Sequence, residues 1–275
     1  MILAVSAQAM AWFDTGHMVV AEVAYRHLDP DVRKFVPKLL AAPGAEDRNS
    51  EFRTCACWAD DFKSRDDAHW HYINFFFRLD GKQAKGKPRD ENVVWAIKTQ
   101  SEIMGNRNLS IDQRARAFRF IMHLVGDIHQ PMHSTALETD QLPNGDRGGN
   151  EFLLAILPGV YPEPKNLHFL WDSGAGLFKE QVRPLNEQGQ RAIARYADDA
   201  EKALPYSEAK KNLKPRDAHA WALESFEHAK KHAYADIRMN ERPSDGYVRN
   251  AQELSLRQVA CAGYRLAELL NHYLK

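Results

Sequence analysis

Histidine and aspartate residues recur at helical spacing near the middle of the chain. His123 and Asp127 are four residues apart, so on a helix both side chains project from the same face, one turn from each other. Pro131 should end that helix, because its ring clashes with the preceding turn and it lacks an N–H. His133 then lies on the loop just beyond. Imidazole and carboxylate groups together suit zinc, although one such pair alone could be a hydrogen-bonded pair on a helix surface.

Further histidines and aspartates favour a metal site over a surface pair. His168 and Asp172 repeat the spacing of four. Asp60 and His71 lie among bulky residues, where an unpaired charge would be costly; taken singly, they could be a helix N-cap and a core histidine. The candidate ligands are His17, Asp60, His71, His123, Asp127, His133, His168 and Asp172. This set exceeds the needs of one zinc ion and contains no thiolate, so it indicates a catalytic site with several metal ions.

The elements that must position these residues are mostly helical. Apolar periodicity predicts helices over 17–28, 32–42, 92–105, 188–204, 218–235 and 248–274. Ser110 and Gln113 form a capping box that opens the central helix. Gly126 within that helix destabilises it by about 1 kcal/mol relative to Ala, which suggests close packing beside Asp127.

The remaining segments are predicted to be extended or to form loops. Residues 69–74 and 152–157 should run extended, whereas 43–54 and 134–150 should be loops. The paired glycines at 148–149 indicate a tight turn rather than a phosphate cradle. The charges of the exposed loop over 80–91 are interpreted as solvation only.

Composition indicates a single domain. The 275 residues are 44% hydrophobic, without an apolar run near the roughly 18 residues of a transmembrane helix and without a linker-like segment. Lys and Arg total 37, as do Asp and Glu, which argues against a protein that binds polyanions through its overall charge. Any attraction for nucleic acid must therefore be local.

The beginning of the chain resembles a secretory signal. Ala9-Met10-Ala11 follows a short apolar stretch and matches a cleavage site, although no positive residue precedes it and a frayed apolar terminus is the alternative. We expect residues 1–11 to be removed, leaving a secreted or periplasmic domain over 12–275. After export, either Cys55 or Cys57 could form a disulfide with Cys261.

Six segments resemble the S1/P1 nuclease family, in the same order along the chain. They are Trp12–His17, Trp58–Asp60, His71–Asn74, His123–His133, Gly148–Asn150 and Asn166–Asp172. The likeness covers nearly all of the mature chain, and the HxxxDxHQPxH and NLHxxWD motifs are highly specific together. The resemblance implies a mostly α, single-domain, multi-helix fold of the phospholipase C/P1 nuclease type, with a short β-hairpin and three zinc ions in a cleft.

The resemblance also assigns ligands to each zinc ion. The first would be bound by Asp60, His71, His123 and Asp127, and the second by His133, His168 and Asp172. The third would be bound by Trp12 through its free amine and backbone carbonyl, by His17, and by Asp127 as a bridge.

The activity implied by the resemblance is cleavage of single-stranded RNA and DNA to 5′-nucleotides, with removal of the 3′-phosphate of nucleotides in many members. Asp60 would orient the attacking water, and Lys63 would add charge to the transition state. Asn150 would hydrogen-bond the phosphate. A solvated lysine and a turn asparagine are the alternatives for these last two. The predicted partners are single-stranded nucleic acid and nucleotides, with no membrane, and the protein is expected to be a monomer.

One departure from the family concerns the base-binding segment, where Tyr72 and Asn74 replace the Phe and Asp of fungal members. Tyr72 can still stack on a base. An amide donates and accepts hydrogen bonds, whereas a carboxylate only accepts, so base preference is expected to be different or broader.

Two other functions are open. A zinc-dependent phospholipase C shares the fold and the leading Trp, but it uses Glu in place of Asp172 and lacks the NLHxxWD context. A non-catalytic exported zinc-binding protein would have closed four-ligand sites, whereas the ligand count here leaves positions open for water.

Overall fold

The computed structural model describes residues 12–155, 163–213 and 217–275. Helices account for most of these residues, which confirms the prediction of a mostly α fold. They are α1 Asp14–Arg26, α2 Pro30–Leu40, α3 Phe52–Cys55, α4 Trp58–Asp61, α5 Val93–Gly105, α6 Ile111–His129, α7 Leu167–Asp172, α8 Glu187–Ala203, α9 Tyr206–Ala209, α10 Ala218–His228 and α11 Asp245–Tyr273. Two short strands are β1 Phe75–Phe77 and β2 Thr135–Leu137. The predicted signal segment over 1–11 lies outside the described residues.

Helix α6 is the central element, with α1, α5, α10 and α11 packed around it. The predicted capping box begins it: the amide of Gln113 donates to Ser110 Oγ at 3.2 Å, and the Ser110 amide donates to Gln113 Oε1 at 3.1 Å. Its second half is buried on every side. After His129 the extended Gln130 ends the helix, and a 3₁₀ turn over Pro131–Ser134 follows, as the position of Pro131 predicts.

The two strands are parallel, so the predicted β-hairpin is wrong. Phe75 pairs with Thr135 and Phe77 with Leu137. A hairpin joins antiparallel strands by a tight turn, whereas a parallel pair needs a long crossover, which α5 and α6 provide here. The pairing continues toward the metal-ligand candidates: the Ile73 amide donates to the His133 carbonyl at 2.8 Å. The sheet therefore holds the segment around His71 beside His133.

Several segments differ locally from the periodicity prediction. Residues Ala68–His71 form a 3₁₀ turn rather than an extended strand, and Leu153 forms only an isolated antiparallel bridge with Asn166; residues 156–157 of that predicted strand lie outside the described residues. The last three residues of the predicted loop over 43–54 are the beginning of α3, and α10 continues as a π-helical turn over Ala229–Ala233. No helix within the described ranges is long and apolar enough to cross a membrane.

All three cysteines are free thiols, so the structure lacks the predicted disulfide. Cys55 and Cys57 are buried, and the Cys57 thiol contacts the Asp14 carbonyl. Cys261 lies instead on α11, beside a cavity near α9. Burial raises the pKa of Cys55 to about 12, so it is inert as a nucleophile at neutral pH.

Candidate metal centre

The fold gathers all eight predicted His and Asp side chains into three groups that could hold metal ions. Within each group the potential ligand atoms lie within 4.8 Å of one another. The groups are His17, His123 and Asp127; Asp60, His71 and His123; and His133, His168 and Asp172. The residues come from α1, α4, α6 and α7 and from the two 3₁₀ turns that flank the sheet.

Asp127 lies between the first two groups. Its Oδ1 is 3.4 Å from His17 Nε2 and 3.3 Å from His123 Nε2. Its Oδ2 is 2.9 Å from His71 Nδ1. The carboxylate is fully buried, and these distances suit a bridge between two cations.

Backbone carbonyls fix the orientation of three histidines. The Nδ1–H groups of His123 and His133 donate to the carbonyls of Ala56 and His71, both at 2.7 Å. His168 Nδ1 donates to the Gly148 carbonyl at 2.6 Å. Donation through Nδ1 leaves Nε2 of each ring as the atom that can bind a metal when the ring is neutral, which is the usual arrangement of histidine ligands.

The Gly148–Gly149 pair forms a tight turn, as predicted. Gly148 has φ +64° and Gly149 has φ +81°. A Cβ at Gly148 would collide with the Met132 carbonyl, so a larger residue could not bring this carbonyl to His168. The turn acts on the site through the orientation of a histidine.

The electrostatics of the first two groups match a cation site. Burial lowers the pKa of His17 and of His71 well below the usual range, and nearby positive charges add to this. Burial opposes protonation of His123 as well, but the carboxylates of Asp127 and Asp60 raise its pKa to about 9. Burial also raises the pKa of Asp127 to about 6. A bound cation would offset the desolvation free energy of these buried, ionised carboxylates.

The surroundings of His17 show directly whether these residues fit a bound metal ion. Both of its ring nitrogens are buried and lack a hydrogen-bond partner among the described residues, although most buried polar atoms in proteins are paired. One nitrogen faces Asp127 Oδ1. A set of imidazoles and carboxylates without thiolate fits Zn²⁺ in an open site.

Lys63 contacts the second group, so the alternative of a solvated lysine is wrong. Its Nζ lies 3.1 Å from Asp60 Oδ1, and both side chains are only 8% exposed. The ammonium group therefore adds a positive charge directly beside a candidate ligand.

A cavity adjoins the third group; we call it the Tyr72 cavity. Its walls include Tyr72, Asn74, Arg147, Asn150, His133 and His168. The three residues predicted to bind substrate thus line one space beside two candidate metal ligands. Asn150 is also the turn asparagine of the alternative interpretation, since its Nδ2 donates to the Arg147 carbonyl at 2.8 Å.

Trp12 anchors the start of the described chain beside the metal-binding groups. Its side chain is fully buried, and its indole Nε1–H donates to the Gly126 carbonyl at 3.1 Å. The next amide, of Phe13, donates to the Asp172 carbonyl at 3.0 Å. The α-amine of Trp12 as a ligand stays a prediction, because residue 11 lies outside the described residues.

Three residues near the site were not predicted. Arg147 lines the Tyr72 cavity with an exposed side chain, and only its place before the glycine pair could have signalled it. Gln130, within the HQPxH motif, donates to Asp172 Oδ1 at 2.5 Å. Arg183 donates hydrogen bonds to the carboxylates of Asp14 and Asp61, at 2.8 and 2.6 Å, and so connects α1 to α4. No sequence pattern near Arg183 predicts this role.

Comparison with known proteins identifies the family. The profile of the S1/P1 Nuclease family matches residues 12–275. Endonuclease 3 of Arabidopsis thaliana is 25% identical over 276 residues, covering 96% of this chain and 89% of the plant protein. Endonuclease 2 of the same plant is 26% identical over 94% of this chain and 89% of its own length. Nuclease S1 of Aspergillus oryzae is 27% identical over 180 residues, which cover 62% of this chain and 56% of the fungal protein. With this match along nearly its whole length, the chain belongs to the S1/P1 nuclease family and is a nuclease.

Proposed function

We propose that this protein is a zinc-dependent nuclease that hydrolyses single-stranded DNA and RNA to 5′-nucleotides and also removes 3′-phosphates from nucleotides. The observation that carries the proposal is the position of the Tyr72 cavity, which shares His133 and His168 with the third metal-binding group. A nucleotide whose base enters this cavity would bring a phosphate to the metal-binding groups. We also propose that the domain over 12–275 acts as a secreted or periplasmic monomer after cleavage behind Ala11.

The ligands would divide among three zinc ions as the family resemblance implies. Asp60, His71, His123 and Asp127 would hold one ion, and His133, His168 and Asp172 a second. Trp12, His17 and Asp127 would hold the third. When bound, zinc supplies Lewis acidity that polarises a phosphoryl oxygen and makes a water molecule acidic enough to attack phosphorus near neutral pH.

The protein's own residues would position the reactants. Asp60 would accept a hydrogen bond from the attacking water and so orient it toward phosphorus. Lys63, 3.1 Å from Asp60, would add positive charge where the phosphate becomes more negative. Asn150, at the wall of the cavity, would donate a hydrogen bond to a phosphate oxygen. The P–O3′ bond breaks, which leaves a 3′-hydroxyl on one product and a 5′-phosphate on the other.

The shape of the site favours unpaired substrates. A base must leave its stack to lie against Tyr72, and in a duplex this costs a few kcal/mol. A single strand has fewer contacts to break. Asn74 and Arg147 also line the cavity and would contact the edge of the base.

The test compares initial rates on matched single-stranded and double-stranded oligonucleotides at one salt concentration, for protein stripped of metal and then given zinc or magnesium. We expect rapid cleavage of the single strand with zinc alone, products with a 5′-phosphate by mass spectrometry, and phosphate release from nucleoside 3′-monophosphates. Equal rates on both substrates, or full activity with magnesium, would contradict the proposal. Preferential release of phosphocholine from lecithin would favour the phospholipase C alternative.

A further inference from the structure

A second cavity lies next to the Tyr72 cavity and shares two of its wall residues. Tyr72 and Asn74 line both, and the second is also lined by His69, Lys87, Arg89 and Glu91. None of the candidate metal ligands among the described residues lines it. We call it the Lys87 cavity. It therefore extends the Tyr72 cavity away from the metal-binding groups.

The loop that carries Lys87 and Arg89 is attached to the sheet at defined points. The Glu138 carboxylate, just after β2, accepts hydrogen bonds from the amides of Lys85 and Gly86 at 2.8 and 3.0 Å. Gly86 packs directly against the ring of Phe76 in β1. These contacts fix the backbone immediately before Lys87, so the cations that follow have a set position relative to Tyr72.

The charges of this loop divide into two kinds. Lys82 pairs with Asp80 and with Asp140, at 3.4 and 3.0 Å. The side chains of Lys87 and Arg89, in contrast, form no ion pair or hydrogen bond with the described residues and are exposed. Acidic partners therefore offset the charge of Lys82, whereas the positive charges of Lys87 and Arg89 at the cavity wall are not offset by an ion pair in the part of the chain that the structure describes.

The local charge of the Lys87 cavity is positive. Glu91 is the acidic residue that lines this cavity, and the Glu91 carboxylate lies 3.3 Å from His69 Nε2. Two permanent cations and a histidine thus face one carboxylate, in a protein whose formal net charge is zero. A phosphate is the kind of group that such a wall would attract.

The proposed removal of 3′-phosphates from nucleotides tells which phosphate this is. In that reaction a single nucleotide, with its base in the Tyr72 cavity, must present its own 3′-phosphate to the metal-binding groups. Its 5′ side then leads away from them, and the Lys87 cavity is an adjoining space that no candidate metal ligand among the described residues lines. We propose that Lys87 and Arg89 bind the phosphate on the 5′ side of this nucleotide and so form a second, upstream subsite. This inference rests on the proposed function and specifies its substrate as an oligonucleotide that extends upstream of the scissile bond.

The experiment uses the zinc-loaded protein and a matched pair of dinucleotides, one with a 5′-hydroxyl and one with a 5′-phosphate. We expect the added 5′-phosphate to raise kcat/KM of the unaltered protein about tenfold, as for a charge-assisted hydrogen bond. The double variant Lys87→Ala, Arg89→Ala should lose this gain while it cleaves the 5′-hydroxyl dinucleotide normally. Lys82→Ala is the matched control, because that lysine is on the same loop and lines neither cavity.

A second readout is the salt dependence on a longer single strand. Loss of one phosphate contact should reduce the slope of log(1/KM) against log salt by about 0.7. The upstream subsite is refuted if the double variant keeps the tenfold gain, if it loses activity equally on both dinucleotides, or if Lys82→Ala has the same effect. If the unaltered protein cleaves neither dinucleotide nor longer strands, the proposed function fails instead.

Discussion

Nδ1 of His17 lies 2.7 Å from the position that a Cβ on Gly126 would occupy. Helices α1 and α6 therefore meet beside Asp127 at a distance that only glycine permits. The position of Gly126 predicted close packing at this point, and the structure confirms it. The α1 residue that packs against Gly126 is His17, which is itself a candidate metal ligand.

Replacement of Gly126 by alanine should have two opposite effects, since it favours the helix but crowds the metal-binding group. Gly126→Ala would gain about 1 kcal/mol from helix propensity, but the methyl group would overlap the His17 ring, at a cost of about 1–3 kcal/mol for overpacking. We expect a lower melting temperature and the loss of one zinc ion per chain, measured by calorimetry and elemental analysis. Gly246→Ala is the control, because the nearest atom there is 3.8 Å away and the variant should keep its metal. Full metal content in Gly126→Ala would show that zinc binding does not depend on this close approach of His17 to α6.

Contacts between residues close together in the chain could be predicted from the sequence, whereas contacts between distant residues could not. The pairs His123–Asp127 and His168–Asp172 follow from helical spacing, and the structure places each pair within one metal-binding group. The parallel pairing of β1 with β2 could not be predicted, because its register depends on how α5 and α6 pack between the strands. The contact of Arg183 with Asp61 joins residues far apart in the chain, and no residue pattern near either one indicates it.

Asp127→Asn tests the bridge between the first two groups. Asp127 contacts His17, His123 and His71 at 2.9–3.4 Å, and an amide cannot bridge two cations as a carboxylate does. We expect metal content to fall and kcat/KM on single-stranded DNA to drop by orders of magnitude. Asp112→Asn, an exposed change in the first turn of the same helix, should leave both unchanged. Three zinc ions and near-normal activity in Asp127→Asn would refute the bridging role.

Zinc binding should release protons. Burial opposes protonation of His123, but the carboxylates of Asp127 and Asp60 outweigh this effect and raise the pKa of His123 to about 9. Because this value is above the ordinary 6.5, the ring is protonated at pH 7 in metal-free protein, and only its neutral form binds a metal. Zinc affinity should therefore rise with pH between 7 and 9, by up to about tenfold per unit for one proton. Calorimetric titrations in two buffers of different ionisation enthalpy measure the release; identical heats at pH 7 would contradict it.

Chelation should destabilise the protein as well as inactivate it. The three groups connect α1, α4, α6 and α7, so the free energy of metal binding also stabilises the fold. At a hundredfold excess over Kd each site contributes about 2.7 kcal/mol, and three sites correspond to a fall in Tm of roughly 10 °C or more. Zinc should restore both Tm and activity, whereas magnesium, which prefers oxygen ligands, should not. An unchanged melting curve after verified metal removal would rule out this coupling.

The α-amine of Trp12 should become a zinc ligand only after cleavage behind Ala11. The indole bond to Gly126 and the Phe13 bond to Asp172 hold this part of the backbone between α6 and α7. If cleavage behind Ala11 occurs, it creates a free amine here with an ordinary pKa of about 7.7–8.0, which zinc can deprotonate near neutral pH. While residue 11 is attached, the same nitrogen is an amide whose lone pair is delocalised into the carbonyl. It is then a poor ligand.

Protein that begins at Trp12, confirmed by mass spectrometry, should therefore hold three zinc ions, whereas protein that keeps residues 1–11 should hold the third ion weakly. The uncleaved form should also turn over single-stranded DNA more slowly, even in excess zinc, because the other two sites cannot replace the third. A protein that begins at Trp12 but carries an acetylated α-amine is the sharper control, since it removes the lone pair without adding residues. Equal zinc content and equal rates in all three forms would mean that the amine is not a ligand and that His17 and Asp127 complete their site in another way.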